Sequence, residues 1–153
     1  MSSVFRYVLG FIFDPELEFV LLLNKLTGPQ TALGWNGLGG AVKDQETEAM
    51  AMAREAEEES GFWIPPQQWV YSGGLFNSES SYFIGVYGAV HDSLPNNKSE
   101  VDQVFLLRMD RIPSTCHRQF AKCAESALFQ SREVLRQSRN QRYKPFMMDM
   151  GVG

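Results

Sequence analysis

The chain reads as a single α/β domain in which a mixed β-sheet is held between helices, an α/β/α sandwich. Three observations predict this class. Runs rich in β-branched and aromatic residues recur along the chain, as strands require. The segment from Thr47 to Ser60 lacks Gly and Pro and is filled with Ala, Met and Glu, and a second helical period governs the region after Thr115. With 153 residues, 44% of them hydrophobic, the chain has material for one core and needs no second domain. Residues 1–145 are assigned to the domain, and 146–153 (FMMDMGVG) to a frayed, flexible C-terminal tail.

The elements follow in order. Val4 to Phe13 (VFRYVLGFIF) is a strand closed by an Asp14-Pro15 turn. Phe19 to Leu23 is a short continuous apolar run, which suits a buried strand better than an amphipathic helix. A loop from Thr27 to Gly34 leads into WNGLGG, also read as loop. In the helix Thr47–Ser60 the apolar residues Ala49, Met52, Ala53 and Ala56 recur at threes and fours, and Gly61 supplies the stop. Trp69 to Phe76 and Tyr82 to Val90 are two strands of a hairpin around Asn77 to Ser81, Leu94 to Asp102 is a polar loop, and Val104 to Leu107 is a further strand. Phe120, Cys123, Ala124, Ala127, Leu128, Val134 and Leu135 give the last helix its apolar stripe.

Charge is distributed unevenly. The net charge is −4, yet Lys43 to Gly61 alone carries seven acids against Lys43 and Arg54. The basic residues Arg132, Arg136, Arg139, Arg142 and Lys144 read as a solvated helix face, so no stable nucleic-acid partner is expected. Cys116 and Cys123 are seven apart in a helix, about 10 Å along its axis, which excludes a disulfide between them. No apolar run reaches the roughly 20 residues of a membrane span, and the N-terminal run lacks the basic start and cleavage site of a secretory signal. A soluble, cytoplasmic protein without a membrane partner is expected.

The stretch REAEEESGF, Arg54 to Phe62, carries the chemistry. Glu55 lies three and four residues from Glu58 and Glu59, so these three share one side of the helix, and Glu57 points elsewhere. Like charges this close destabilise an isolated helix by roughly 0.2–0.5 kcal/mol per pair, a repulsion that a hard divalent cation with oxygen ligands relieves. Such an ion also neutralises a polyphosphate and acidifies a bound water. There is no Cys/His cluster for zinc and no EF-hand loop.

From Gly40 the chain runs through five residues to Glu46, seven to Arg54-Glu55, then Ala56, one residue, Glu58-Glu59, one residue, Gly61 and Phe62. This resembles the Nudix box, G-x5-E-x7-R-E-U-x-E-E-x-G-U with U apolar, at every fixed position, with Ala56 smaller than the usual aliphatic residue. The resemblance implies a Nudix fold and a hydrolase of nucleoside diphosphates linked to another group X, dependent on Mg2+ or sometimes Mn2+. It carries metal binding onto Glu55, Glu58 and Glu59, with the Gly39 carbonyl completing the site, and it gives Arg54 the task of organising the carboxylates with Glu46 as partner. The general base is either a box glutamate or an acid on a separate loop, where Glu100 fits by position and Glu79 and Asp102 less well.

WNGLGG followed by Glu46-Thr47 is also similar to the branch of the family that removes oxidised purine nucleoside triphosphates, whose Asn hydrogen-bonds the base. Asn36 suits that role because an amide both donates and accepts. The acidic base-reading pair expected after Ile112-Pro113 is absent from STCHRQF, and W-N-G-x-G-G occurs in Nudix proteins of other specificity. Trp35 and Asn36 are therefore candidates for lining the substrate pocket, Lys25 for reaching a phosphate, and Tyr71, Tyr82 and Phe83 for stacking on a base. The expected substrate is a small-molecule nucleotide, with (d)NTPs ahead of ADP-ribose, nucleotide sugars and dinucleoside polyphosphates. The alternatives are a regulatory Nudix module that binds a nucleotide without hydrolysing it and a scaffold whose acidic helix is merely solvated. A homodimer is expected from the family and the stripe of the last helix.

Overall fold

A computed structural model of the chain describes residues 4–25, 34–92, 94, 103–111, 120–136 and 146–151. In chain order the described elements are β1 (Phe5–Phe13), β2 (Phe19–Lys25), β3 (Gly34–Asn36), β4 (Leu38–Ala41), α1 (Glu48–Ser60), β5 (Val70–Asn77), β6 (Tyr82–Val90), β7 (Gln103–Arg108), α2 (Phe120–Arg136) and β8 (Phe146–Asp149). The strands form one mixed sheet with the order β3-β2-β1-β6-β5-β8, to which β4 is added beside β1 and β7 beside β2. Strand β1 runs parallel to β6 and antiparallel to β2 and β4.

The two helices cover opposite faces. Val8 and Ile12 of β1 join Met52, Ala53 and Ala56 of α1 in one buried cluster, whereas Phe11 and Phe13 join Cys123, Ala124 and Ala127 of α2 in another. A strand packed on both faces has no polar alternation to show, which is why β1 reads as a nearly continuous apolar run. Met52 is fully buried, a burial that contributes roughly 2 kcal/mol to holding α1 on the sheet.

Local chemistry fixes the ends of the elements. Asp14 Oδ1 accepts hydrogen bonds from the Glu18 and Phe19 amides at 2.8 and 2.7 Å, turning β1 into β2. Asn77 Oδ1 does the same for Glu79 and Ser80 at 2.9 and 3.0 Å in the β5–β6 hairpin. Thr47 caps α1 by accepting from the Met50 amide at 3.1 Å, and Gly61, at φ 83°, stops it in the left-handed conformation.

Two regions differ from the sequence reading. WNGLGG is not loop: Gly34–Asn36 pairs with β2 and Leu38–Ala41 pairs with β1. The two segments fill the gap where β1 and β2 diverge, since those strands pair directly only at Ile12–Leu21 and Phe13–Val20. Neither segment is long enough to show a period of two, and their strand geometry comes from the neighbours that they pair with. Residues 146–149, assigned to a tail, form β8 parallel to β5 at the sheet edge. Phe146 occupies the space that a side chain at Gly73 would need, the Met150 amide donates to the Phe76 carbonyl at 2.7 Å, and Asp149 Oδ1 accepts from Gly151 N at 2.8 Å. Among the described residues no helix is long and apolar enough to cross a membrane. Cys123 is buried, and Cys116 lies outside the described residues.

Candidate active site

Arg54 is the hub of the acidic helix. Its Nε donates to Glu46 Oε2 at 2.7 Å and its Nη2 to Glu46 Oε1 at 3.0 Å, a two-pronged contact. Nη2 also donates to the Ala41 carbonyl at 3.0 Å, while Nη1 reaches Glu55 Oε1 at 2.9 Å and Glu58 Oε2 at 3.3 Å. Glu46 Oε1 further accepts from the Lys43 amide at 2.9 Å, closing the turn into α1. The Arg54 guanidinium holds the Glu46 carboxyl down to about 2. Glu46 in turn raises Arg54 above the ordinary arginine value, so both stay charged.

The remaining carboxylates lie against β4. Glu59 Oε1 accepts the Gly39 amide at 2.7 Å. The Glu55 carboxylate fills the place of a side chain at Gly40, where a Cβ would stand 2.5 Å from Oε1. Glu55 is 16% exposed and Glu58 54% exposed. Glu57 is exposed on another side of the helix.

This donor set fits a hard divalent cation. Three carboxylates, those of Glu46, Glu55 and Glu58, contact one guanidinium, and Glu59 rests on the Gly39 amide, so negative charge is in excess beside the Gly39-Gly40 backbone. Among the described residues the acids do not already form a close group of three ligands. Arg54 Nη1 contacts both Glu55 and Glu58, and the Glu58 contact, at 3.3 Å, is the longer, so Glu58 would be the carboxylate to turn toward an ion.

The other candidates are spread more widely. Asn36 stands on β3, and its Oδ1 accepts the Gly37 amide at 2.9 Å, which orients the amide nitrogen. Trp35 packs edge-on against Phe105 of β7, with ring centroids 5.4 Å apart, and contributes to the α2-side core. Lys25 ends β2 opposite Gly34. Glu79 is exposed in the β5–β6 turn. Glu100 and Asp102 lie outside the described residues.

Beside β4, on the α2 face, an apolar row crosses the sheet. Tyr7 pairs with Ala41 and Ile84, Ile84 with Leu75, and Leu75 with Met148. Leu75 is buried, Ile84 and Met148 are half-buried, and Tyr7 is 37% exposed, so the row emerges from the core toward the surface.

A second polar cluster escaped the sequence reading. Glu48, in the first turn of α1, accepts the Tyr87 hydroxyl at 3.0 Å through Oε1 and is paired through Oε2 with Arg6. Burial, with Glu48 beside it, pushes the Tyr87 phenol above its ordinary value, so it remains a donor. Arg6 also lies over the Phe83 ring, 5.7 Å from its centroid. The signal available in the sequence was that Glu48 precedes Glu55 and Glu59 by seven and eleven residues, two and three turns of helix.

The family model described as "NUDIX domain" matches residues 5–127. Among solved structures, the chain is similar to a Nudix hydrolase from Nitrosomonas europaea at 15% identity, covering 98% of this chain and 80% of that one with a TM-score of 0.72. It is similar to a MutT Nudix hydrolase from Burkholderia pseudomallei at 18% identity, covering 82% and 98% with a TM-score of 0.66. It is also similar to a MutT protein from Methanosarcina mazei Go1 at 20% identity, covering 87% and 96% with a TM-score of 0.65. At these identities the likeness establishes the fold. No curated protein matches the sequence.

Proposed function

The chain belongs to the Nudix family, and from that premise we propose that it is a magnesium-dependent pyrophosphohydrolase cleaving nucleoside di- or triphosphate derivatives, with (d)NTPs hydrolysed to the monophosphate and pyrophosphate. One observation carries the reading. Strand β4 has the carboxylates Glu55 and Glu59 against its Gly39-Gly40 backbone, and the apolar row begun by Tyr7 beside it. A nucleotide laid across β4 would place its phosphates at the acids, and Asn36, on the neighbouring β3, offers the base a hydrogen-bonding amide.

When bound at Glu55, Glu58 and Glu59, a divalent ion supplies charge neutralisation for the phosphates and acidifies the attacking water. The protein's own groups do the rest. Arg54 and Glu46 hold the helix and the β4–α1 turn in one arrangement, so the carboxylates need little reorganisation. Glu58, the most exposed of the three, accepts the proton as the water oxygen bonds to phosphorus. The bridging P–O bond then breaks, and its electron pair leaves with pyrophosphate.

The test is a product-release screen with and without Mg2+ over (d)NTPs, 8-oxo-dGTP, ADP-ribose, nucleotide sugars and dinucleoside polyphosphates. Wild type is expected to turn over a (d)NTP fastest, and Glu58→Gln and Glu59→Gln to fall by at least about 100-fold. Equal rates in wild type and both variants overturn the site, and a preference for ADP-ribose, sugar or dinucleoside substrates overturns the substrate class.

A further inference from the structure

The residues of α1 that face the sheet form one stripe. At about 100° per residue, Glu55 and Glu59 fall within about 20° of Glu48 around the helix, and Met52 within about 40°. Three members of the stripe meet sheet positions that lack a side chain. Glu48 lies on Gly85 of β6, Met52 on Gly10 of β1 and Glu55 on Gly40 of β4. A Cβ at Gly10 would stand 2.6 Å from Met52 Sδ. The fourth member, Glu59, takes the Gly39 amide. Helix α1 therefore crosses β6, β1 and β4 in close contact, with the metal carboxylates at one end of the stripe and Glu48 at the other.

Glu48 sits in a built socket. Gly85 leaves room for its carboxylate, the Tyr87 hydroxyl donates to Oε1 at 3.0 Å and Arg6 pairs with Oε2. Its side chain is only 14% exposed. Arg6 reaches the same region with its backbone, because its carbonyl accepts the Val42 amide at 2.9 Å in the turn before α1. One strand residue thus grips both the turn and the first helical turn.

We propose that Glu48 is a positioning residue for the metal site, its Arg6–Tyr87–Gly85 socket fixing the rotation of α1 about its axis and so the placement of Glu55 and Glu59 on β4. The buried alanines and Met52 hold α1 against the sheet by apolar contact, which is non-directional. A charge-assisted contact at the end of the stripe resists rotation directly, because rolling drives the carboxylate out of its notch. A rotation of about 10° displaces a carboxylate by about 1 Å, enough to cost up to about 100-fold in rate.

The proposal rests on the assignment of Glu55 and Glu59 to the metal, and the test separates the two. Wild type, Glu48→Ala, Glu48→Gln, Tyr87→Phe and Glu59→Gln are titrated with Mn2+ well below each melting temperature, following bound Mn2+ by paramagnetic resonance and, where turnover is detected, kcat and KM at saturating metal. Glu48→Ala is expected to raise the half-saturating Mn2+ concentration about tenfold and to lower kcat with little change in KM. Tyr87→Phe, which removes only a hydroxyl, shifts it about threefold, and Glu48→Gln, which keeps the acceptor for Tyr87 but loses the charged contact to Arg6, falls between wild type and Glu48→Ala. A purely structural Glu48 would lower the melting temperature and leave Mn2+ half-saturation in place, and that result in Glu48→Ala and Tyr87→Phe overturns the proposal. If Glu59→Gln binds Mn2+ like wild type, the metal assignment itself fails.

Discussion

Replacing Glu46 with Gln removes one charge from the pair that anchors Arg54 and keeps the shape of the side chain. In the folded protein the guanidinium lowers the Glu46 carboxyl from its ordinary 4.5 to about 2. At about 1.4 kcal/mol per unit this bounds the contribution at roughly 3 kcal/mol. The partners retain 21% and 12% of their side-chain exposure, and screening by solvent brings the expected loss to about 1–2 kcal/mol. For a domain of this size the melting temperature of Glu46→Gln should fall by roughly 3–6 °C at pH 7. Because the folded value lies below the unfolded one, the stabilisation is present above about pH 4.5 and is lost as pH falls toward 2. Thermal unfolding of both proteins from pH 7 to pH 3 is the assay, and the gap should be less than half as large at pH 3. A gap that is equal at the two pH values, or under about 1 °C at pH 7, refutes the assignment of Arg54–Glu46 as the anchor.

Two further outcomes are expected. Glu57→Gln alters an exposed position and should change stability by less than about 0.5 kcal/mol, leaving the Mg2+ concentration for half-maximal thermal stabilisation unmoved. A shift like that of a ligand variant would mean that the helix presents a different face. Phe146→Ala empties the space over Gly73 and should destabilise by about 1–2 kcal/mol, with the Met150 amide losing protection from hydrogen exchange; an unchanged exchange rate would show that β8 does not depend on that ring.

What the sequence disclosed was what is local. Helix α1 was legible because its composition, its Gly61 stop and the spacing of Ala49, Met52, Ala53 and Ala56 all lie within a few turns. The association of Arg54 with Glu46 was expected from the resemblance, whose seven intervening positions bring them together across the helix start. The socket of Glu48 was not legible, because its partners are 42 and 39 residues away and meet it only after β1 and β6 pair. Strand β8 was hidden for the same reason: FMMD has no alternation of its own, and its strand character is supplied by Gly73 and Phe76 of β5. Trp35, a candidate for the pocket, has its ring taken up by Phe105, a neighbour 70 positions later in the chain.

The ribbon from Gly34 to Ala41 crosses from β2 to β1 at the point where those strands part. It bears Asn36 at one end and Gly39-Gly40 at the other, with a single buried residue pair, Gly37-Leu38, between them. On the proposed function, selectivity and reactivity would share one stiff axle. A substitution that retunes Asn36 by shifting its backbone also shifts the seat of Glu55 and Glu59. Changes of substrate that preserve rate should come from side chains outside the ribbon, and the ribbon itself should accept few.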